Sequence, residues 1–265
     1  MQNRFKGKSC YYCGEPAISD EHIPPKQIFD GFDCDKIVVP SCMYHNVGKS
    51  FYDACILMGM LKSLDEFIIS GLANDLTPNI LKSIELVQDK FPHVKKGMRI
   101  IEIFQEGQPG SEKKMKSAFV DADIDHYKWA RLLTAGLIWD ATEEYQEELD
   151  WNEESGVLDN YFRESTEKGL TATDLIESDR EKQKHMTAYG AATWIEGWSA
   201  ISKPYPRDLY NFRFVYGSLG HLHFEHTFFL KYKIWVHVKA SPELAEKVKI
   251  KALVRSLKED GCRKV

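Results

Sequence analysis

Cys10 and Cys13 form a C-x2-C pair, and Cys42 and His45 form a C-x2-H pair further along. Three thiolates and one imidazole match the donor set of tetrahedral Zn2+. Every coordination position would then be filled by protein, so such a zinc is structural and leaves no place for a substrate. A lone C-x2-C pair says little, but two pairs around a short insert in a reducing context point to metal. Cys34 is the alternative fourth ligand, although the knuckle spacing favours His45. Inside the insert Glu21 stands directly before His22, and Pro24-Pro25 follows. Asn46 comes straight after His45, and Lys49 three residues later.

Something must hold these residues in place. Residues 17–23 and 36–39 read as two short strands, and Asn46 lies at or just inside the start of a helix. The order is strand, loop, strand, helix, with a zinc pair at each end. Glu21-His22 falls at the end of the first strand, where Pro24-Pro25 stops the strand and stiffens the turn.

With Cys10, Cys13, Glu21, His22, Cys42, His45, Asn46 and then Lys49 in this order, the N-terminal stretch resembles the HNH nucleases of the His-Me finger superfamily, in their zinc-knuckle form. The resemblance covers roughly the first fifth of the chain. It implies a ββα-metal module in which His22 is the general base and Glu21 and Asn46 bind one divalent cation, Mg2+ or Mn2+. The chemistry is consistent with those types. A neutral imidazole can take a proton from water near neutral pH. A hard cation such as Mg2+ needs little more than one carboxylate and one carbonyl from the protein, because it keeps several waters. It neutralises charge on the phosphate and the departing oxygen. Lys49 is expected either to hold a phosphate or to sit in solvent on the first helical turn. Two departures from the family pattern stand out: Glu21 replaces the usual Asp, and His45 replaces the usual fourth Cys.

Composition sets the outer bounds. The chain has 265 residues, 43% hydrophobic and 28% charged, enough to bury a core and too apolar for wholesale disorder. There is no run of 18 apolar residues and no apolar leader in MQNRFKGKSC, so a cytoplasmic protein without a membrane span is expected. Six cysteines are too few for a disulfide scaffold, and Cys55 and Cys262 read as reduced thiols. The net charge of −5 is uneven: residues 143–181 carry 3 Lys/Arg against 14 Asp/Glu, and residues 203–265 carry 13 against 6. Local basic patches decide nucleic-acid binding, so the acidic total does not exclude it.

Past residue 50 the apolar spacing of Ile56, Met60, Leu64, Phe67 and Ile68 predicts an amphipathic helix, and Pro78 opens a second one to about Lys90. Short strands are expected over residues 99–104 and 118–123, then a helix over 125–142 with Trp129, Leu132, Leu133, Leu137 and Ile138 inward. The acidic segment 143–154 reads as a solvated loop or helix face, and 173–201 as a helix with Trp194 and Trp198 in the core. Residues 222–238 alternate with period two; one strand of that length is excessive, so a break near 225–227 is expected. His226 falls on the apolar face as a buried, hydrogen-bonded residue, while His221 and His223 are expected in solvent rather than in a second metal site. Lys231, Lys233 and Lys239 line the polar face around Trp235; with Lys247, Lys249, Lys251, Arg255 and Lys258 they read as a solvated basic surface or a phosphate track. Ser241-Pro242 should cap a last helix to about Glu259.

The reading is therefore an α+β protein: a zinc-stapled ββα-metal module over residues 1–53, then a larger mixed domain over 54–265 with a C-terminal antiparallel sheet and a terminal helix. The expected function is a metal-dependent endonuclease with structural Zn2+, acting on DNA more readily than RNA, with 54–265 selecting substrate or a protein partner. Bacterial restriction or phage defence is the setting the resemblance suggests. The competing class is a non-catalytic zinc module that binds nucleic acid or protein.

Overall fold

The structure is a computed structural model that describes residues 4–34, 36–62, 78–89, 98–105, 113–120, 126–147, 149–151, 157–159, 162–163, 200–201, 209–217, 220–229, 232–257 and 262–264. It is mixed α+β.

The N-terminal part is a ββα finger. Strand β1 (Ser19–Ile23) pairs antiparallel with β3 (Ile37–Ser41), with Glu21 opposite Val39 and His22 opposite Val38. The insert carries a 3-10 turn (Lys26–Phe29) and a short strand β2 (Phe32–Cys34). Helix α1 (Met43–Lys62) starts immediately after Cys42. From Cys55 to Leu61 its described side chains are buried on consecutive positions, so this half is enclosed rather than amphipathic.

Helix α2 (Pro78–Asp89) begins at the predicted proline. Strands β4 (Met98–Gln105) and β5 (Lys113–Val120) form a hairpin, which starts earlier on its second arm than the 118–123 expectation. Helix α3 (His126–Thr142) buries Trp129, Leu132, Leu133, Leu137 and Ile138 as their spacing requires. After it, Glu143 and Glu144 are exposed in a bend, in line with a solvated acidic segment, while β6 (Asp150–Trp151) joins the sheet.

The large sheet has six strands in the order β6-β12-β11-β10-β9, with β7 (Val157–Asp159) also paired to β12. Its centre is β10 (Tyr210–Gly217), β11 (His221–Phe228) and β12 (Tyr232–Lys239). β8 (Phe162–Arg163) runs parallel beside β5. β9 (Ala200–Ile201) pairs with β10, so the helix expected to end at Ile201 gives way there to strand; Trp194 and Trp198 lie outside the described residues. The expected break at 225–227 also moves. Glu225 to Thr227 run straight within β11, and the chain turns after Phe228, which pairs with Tyr232. Three intervening residues keep the parity of the alternation, so a period-two pattern runs through the hairpin without showing it.

Ser241 caps helix α4 (Pro242–Leu257): its Oγ accepts the Leu244 N–H at 3.1 Å. A last strand, β13 (Cys262–Lys264), pairs with β2 and closes the C-terminus onto the finger, a contact with no sequence signal. Its register sets Cys262 opposite Cys34.

Helix α3 is the spine between finger and sheet. Gly136 lies against Ile23 so closely that any Cβ there would overlap the isoleucine side chain. Trp129 reaches the finger through Asp53, and Thr134 reaches the sheet through His226. Among the described residues no helix is long and apolar enough to cross a membrane.

Candidate metal centre and the finger around it

The first knuckle is a tight loop. Cys10 N–H donates to Glu15 O at 2.6 Å, and Gly14 N–H to Cys10 O at 3.1 Å. Gly14 has φ +77°, the left-handed region, and a Cβ there would lie 2.7 Å from the Tyr145 ring. Tyr11 N–H donates to Pro40 O and Ile18 N–H to Ser41 O, docking the loop on β3. The second knuckle is the entry to α1, where Asn46 N–H donates to Cys42 O at 3.0 Å.

These contacts bring Cys10, Cys13, Cys42 and His45 together, with all four ligand atoms within 4.8 Å of one another. Cys13 Sγ and Cys42 Sγ are 3.8 Å apart, and His45 Nδ1 lies 3.3 Å from Cys42 Sγ and 3.8 Å from Cys10 Sγ. Tetrahedral Zn2+ with ordinary bond lengths needs sulfurs about 3.8 Å apart and sulfur–nitrogen pairs about 3.5 Å apart. The donor set therefore fits a zinc ion. The side chain of Cys34, the alternative ligand, lies outside the described ones. Burial raises the Cys10 thiol, but a hydrogen bond with His45 and backbone donors outweigh it and bring it down to about 6. Burial, with Cys10 nearby, pushes Cys13 up to about 12. Zinc would therefore meet Cys10 readily and would have to displace the proton of Cys13.

Glu21, His22, Asn46 and Lys49 surround the strand end. Asn46 Nδ2 donates to Ser19 Oγ at 2.8 Å and to Asp20 O at 3.3 Å, pinning α1 to the residues just before Glu21. The Glu21 carboxylate turns inward: Oε1 accepts from the His22 N–H at 3.0 Å and from Lys49 Nζ at 3.2 Å. Lys49 also pairs with Asp53 at 2.9 Å and donates to His22 O at 3.2 Å. Asp53 Oδ1 in turn accepts from Trp129 Nε1 at 2.7 Å.

Neither expectation for Lys49 describes its surroundings. Its side chain is 0% exposed and its ammonium is enclosed by two carboxylates and a carbonyl, so it is a buried counter-ion, neither solvated nor offered to a phosphate. The sequence places Lys49 on the first turns of α1, but the inward roll of that helix turns the residue to the core. Burial would push the Lys49 proton off, but Asp53 and Glu21 hold it on and raise the group above its usual range. Burial raises both carboxyls, with Lys49 pulling the other way, because one cation serves two acids. Tyr11 adds a buried hydroxyl with no hydrogen-bond partner among the described residues; burial, then negative charge from Glu21, Cys10 and Asp53, raises its pKa. Asp53, Trp129 and Tyr11 were missed by sequence reasoning, since nothing in their spacing ties them to the finger's motif.

His22 lies on the other side of the strand from Glu21, partly exposed. Burial, with positive charge from Lys26, Lys36, Lys49 and Arg4, pushes its imidazole down to about 4. It is neutral at physiological pH, the form that accepts a proton.

On the large sheet, His226 is buried between Thr134 Oγ1 and Tyr210 Oη, each 2.9 Å from a ring nitrogen, as expected of a satisfied core histidine. His223 is not in solvent: it is 4% exposed. The polar face of β11 is covered too, since Glu225 and Thr227 are also buried. Of the basic surface, Lys247, Lys249 and Lys251 pair with Glu243, Glu246 and Glu143, the pattern of a solvated helix. The side chains of Lys231, Lys233, Trp235, Arg255 and Lys258 lie outside the described ones.

No family model, no curated protein and no solved structure matches this chain.

Proposed function

We propose that the chain is a metal-dependent endonuclease that hydrolyses phosphodiester bonds, in DNA before RNA, with the finger as its catalytic module. The observation that carries this reading is the pin between Asn46 and the Ser19–Asp20 segment, the residues just before Glu21 and His22, in a finger that also holds the Cys3His cluster. His22 is the general base: its imidazole is neutral and partly open, so it can take a proton from an attacking water. Glu21 and Asn46 supply the oxygens for one Mg2+ or Mn2+; among the described residues Oε2 of Glu21 and the Asn46 amide oxygen accept no hydrogen bond. Such a cation, when bound, neutralises charge on the phosphate and on the leaving oxygen. Lys49 acts on Glu21 as a positioning residue. Residues 54–265 would select the substrate or a protein partner, in a setting such as restriction or phage defence.

A second reading has one specific observation in its favour. Glu21 is buried against Lys49, with a side chain only 9% exposed, which suits a finger that is purely structural and binds nucleic acid or protein. Incubating the purified chain with duplex DNA, single-stranded DNA and RNA, with Mg2+, Mn2+ or neither, separates the two. Cation-dependent cutting of any of the three supports the nuclease. Binding without cutting under every condition supports the structural finger.

A further inference from the structure

We propose that Arg4, Lys26 and Lys36 form a phosphate clamp beside His22 and hold the backbone of duplex DNA on the finger. The fold gathers them from separate segments. Lys26 opens the 3-10 turn that follows Pro24-Pro25, four residues after His22. Lys36 stands just before Ile37, the cross-strand partner of Ile23, and two residues before Val38, the partner of His22. Arg4 arrives by way of α3. Its neighbour Phe5 packs edge to face on Trp139, with ring centroids 5.4 Å apart, and Trp139 lies about one helical turn from Gly136, which meets Ile23. Arg4 and Lys26 are exposed, and Lys36 and His22 are half-buried.

These charges are not matched locally. Among the described residues none of the three stands in an ion pair, whereas Lys247, Lys249 and Lys251 are each paired with a glutamate. Arg4 lies over the Phe5 ring at 5.2 Å, a contact that leaves its charge uncompensated. Acids do stand nearby: Asp20 on β1, and Asp30 and Asp33 in the insert, all exposed. Yet the charges acting most strongly on the His22 ring are Lys26, Lys36, Lys49 and Arg4, all positive. Lys49 is already balanced by Glu21 and Asp53, so the other three set the field at the ring. Like charges gathered at a half-open histidine repel one another, and a polyanion relieves that repulsion. Cations carried on separate segments suit a chain of phosphates better than one small anion, and duplex DNA presents one negative charge per about 1.7 Å of its axis.

The test measures binding rather than cutting: fluorescence anisotropy of a short labelled DNA duplex with the zinc-loaded full chain, without added Mg2+ or Mn2+, over a series of salt concentrations. The parent should bind, with an affinity that falls steeply as salt rises. R4Q, K26Q and K36Q should each reduce the slope of log affinity against log salt by about 0.9, and the triple variant by about 2.7, the values for one and three phosphate contacts. The paired lysines of α4 serve as the control, so K247Q/K249Q/K251Q should leave the slope unchanged. All variants are compared at equal zinc content, and the single variants decide if the triple one does not hold its zinc. No binding by the parent, an unchanged slope in the finger variants, or an equal loss in the α4 variant would overturn the clamp. The use of such a grip rests on the nuclease reading, but the two fail separately. A parent that binds through these residues and never cuts in Mg2+ or Mn2+ keeps the clamp and contradicts the nuclease.

Discussion

On the finger side of α3, Trp129 donates to Asp53, which holds Lys49, which holds Glu21. On the sheet side, Thr134 meets His226, which meets Tyr210. Both regions bury polar groups against the same helix, by different means. The finger is too small to bury charge by packing alone, so it balances charges against one another and draws its ends together on a metal-ligand cluster. The sheet surrounds one neutral histidine with Phe214, Phe224, Phe228, Tyr232, Ile234 and Val236, all 0% exposed. Removing a charge or a ligand should therefore be severe in the finger, whereas the sheet should be vulnerable chiefly to a proton.

The largest expected effect is at the zinc cluster. Structural zinc contributes on the order of 10–16 kcal/mol in isolated finger peptides, so C42S should lose its zinc and leave the finger open to proteolysis while the large sheet persists. Zinc content by atomic emission, with limited proteolysis, checks this. Breaking a buried ion pair from one side costs about 3–5 kcal/mol, so K49M should lower the urea midpoint strongly by leaving Glu21 and Asp53 without their cation.

The sheet makes the contrasting prediction. His226 is held near 3 by burial, below its unfolded value of 6.5, so the native state favours the neutral ring. Stability from this group is full above pH 6.5 and falls as pH drops from there towards 3, by up to about 1.4 kcal/mol per pH unit. Urea titrations between pH 7 and pH 4 should show that slope in the parent and a flatter one in H226Q. The smallest effect belongs to the joint: G136A should cost about 1–3 kcal/mol by pushing Ile23 off α3, read by thermal denaturation.

The sequence made local features legible and left cross-chain ones hidden. The zinc spacing, the strand–strand–helix order and the Ser241 cap depend on residues a few positions apart, and the structure forms each of them. Buried polar partners depend on which helix face meets which strand. Lys49 read as a surface residue because only the packing of α1 turns it towards Asp53 and Glu21. His226 was read correctly because strand parity alone puts it on the apolar face. His223 was misplaced because parity says which face it shares, not whether that face is covered. The pairing of β13 with β2 joins the two ends of the chain, a separation that no periodicity spans.

Cleavage by zinc-loaded parent and zinc-loaded H22A, at equal zinc content in Mg2+ on end-labelled duplex DNA, tests the central claim most directly. If the finger does chemistry through that imidazole, the parent should cut and H22A should be slower by about 100-fold or more, the scale of a lost general base. Equal rates, or no cutting by either protein, would contradict it.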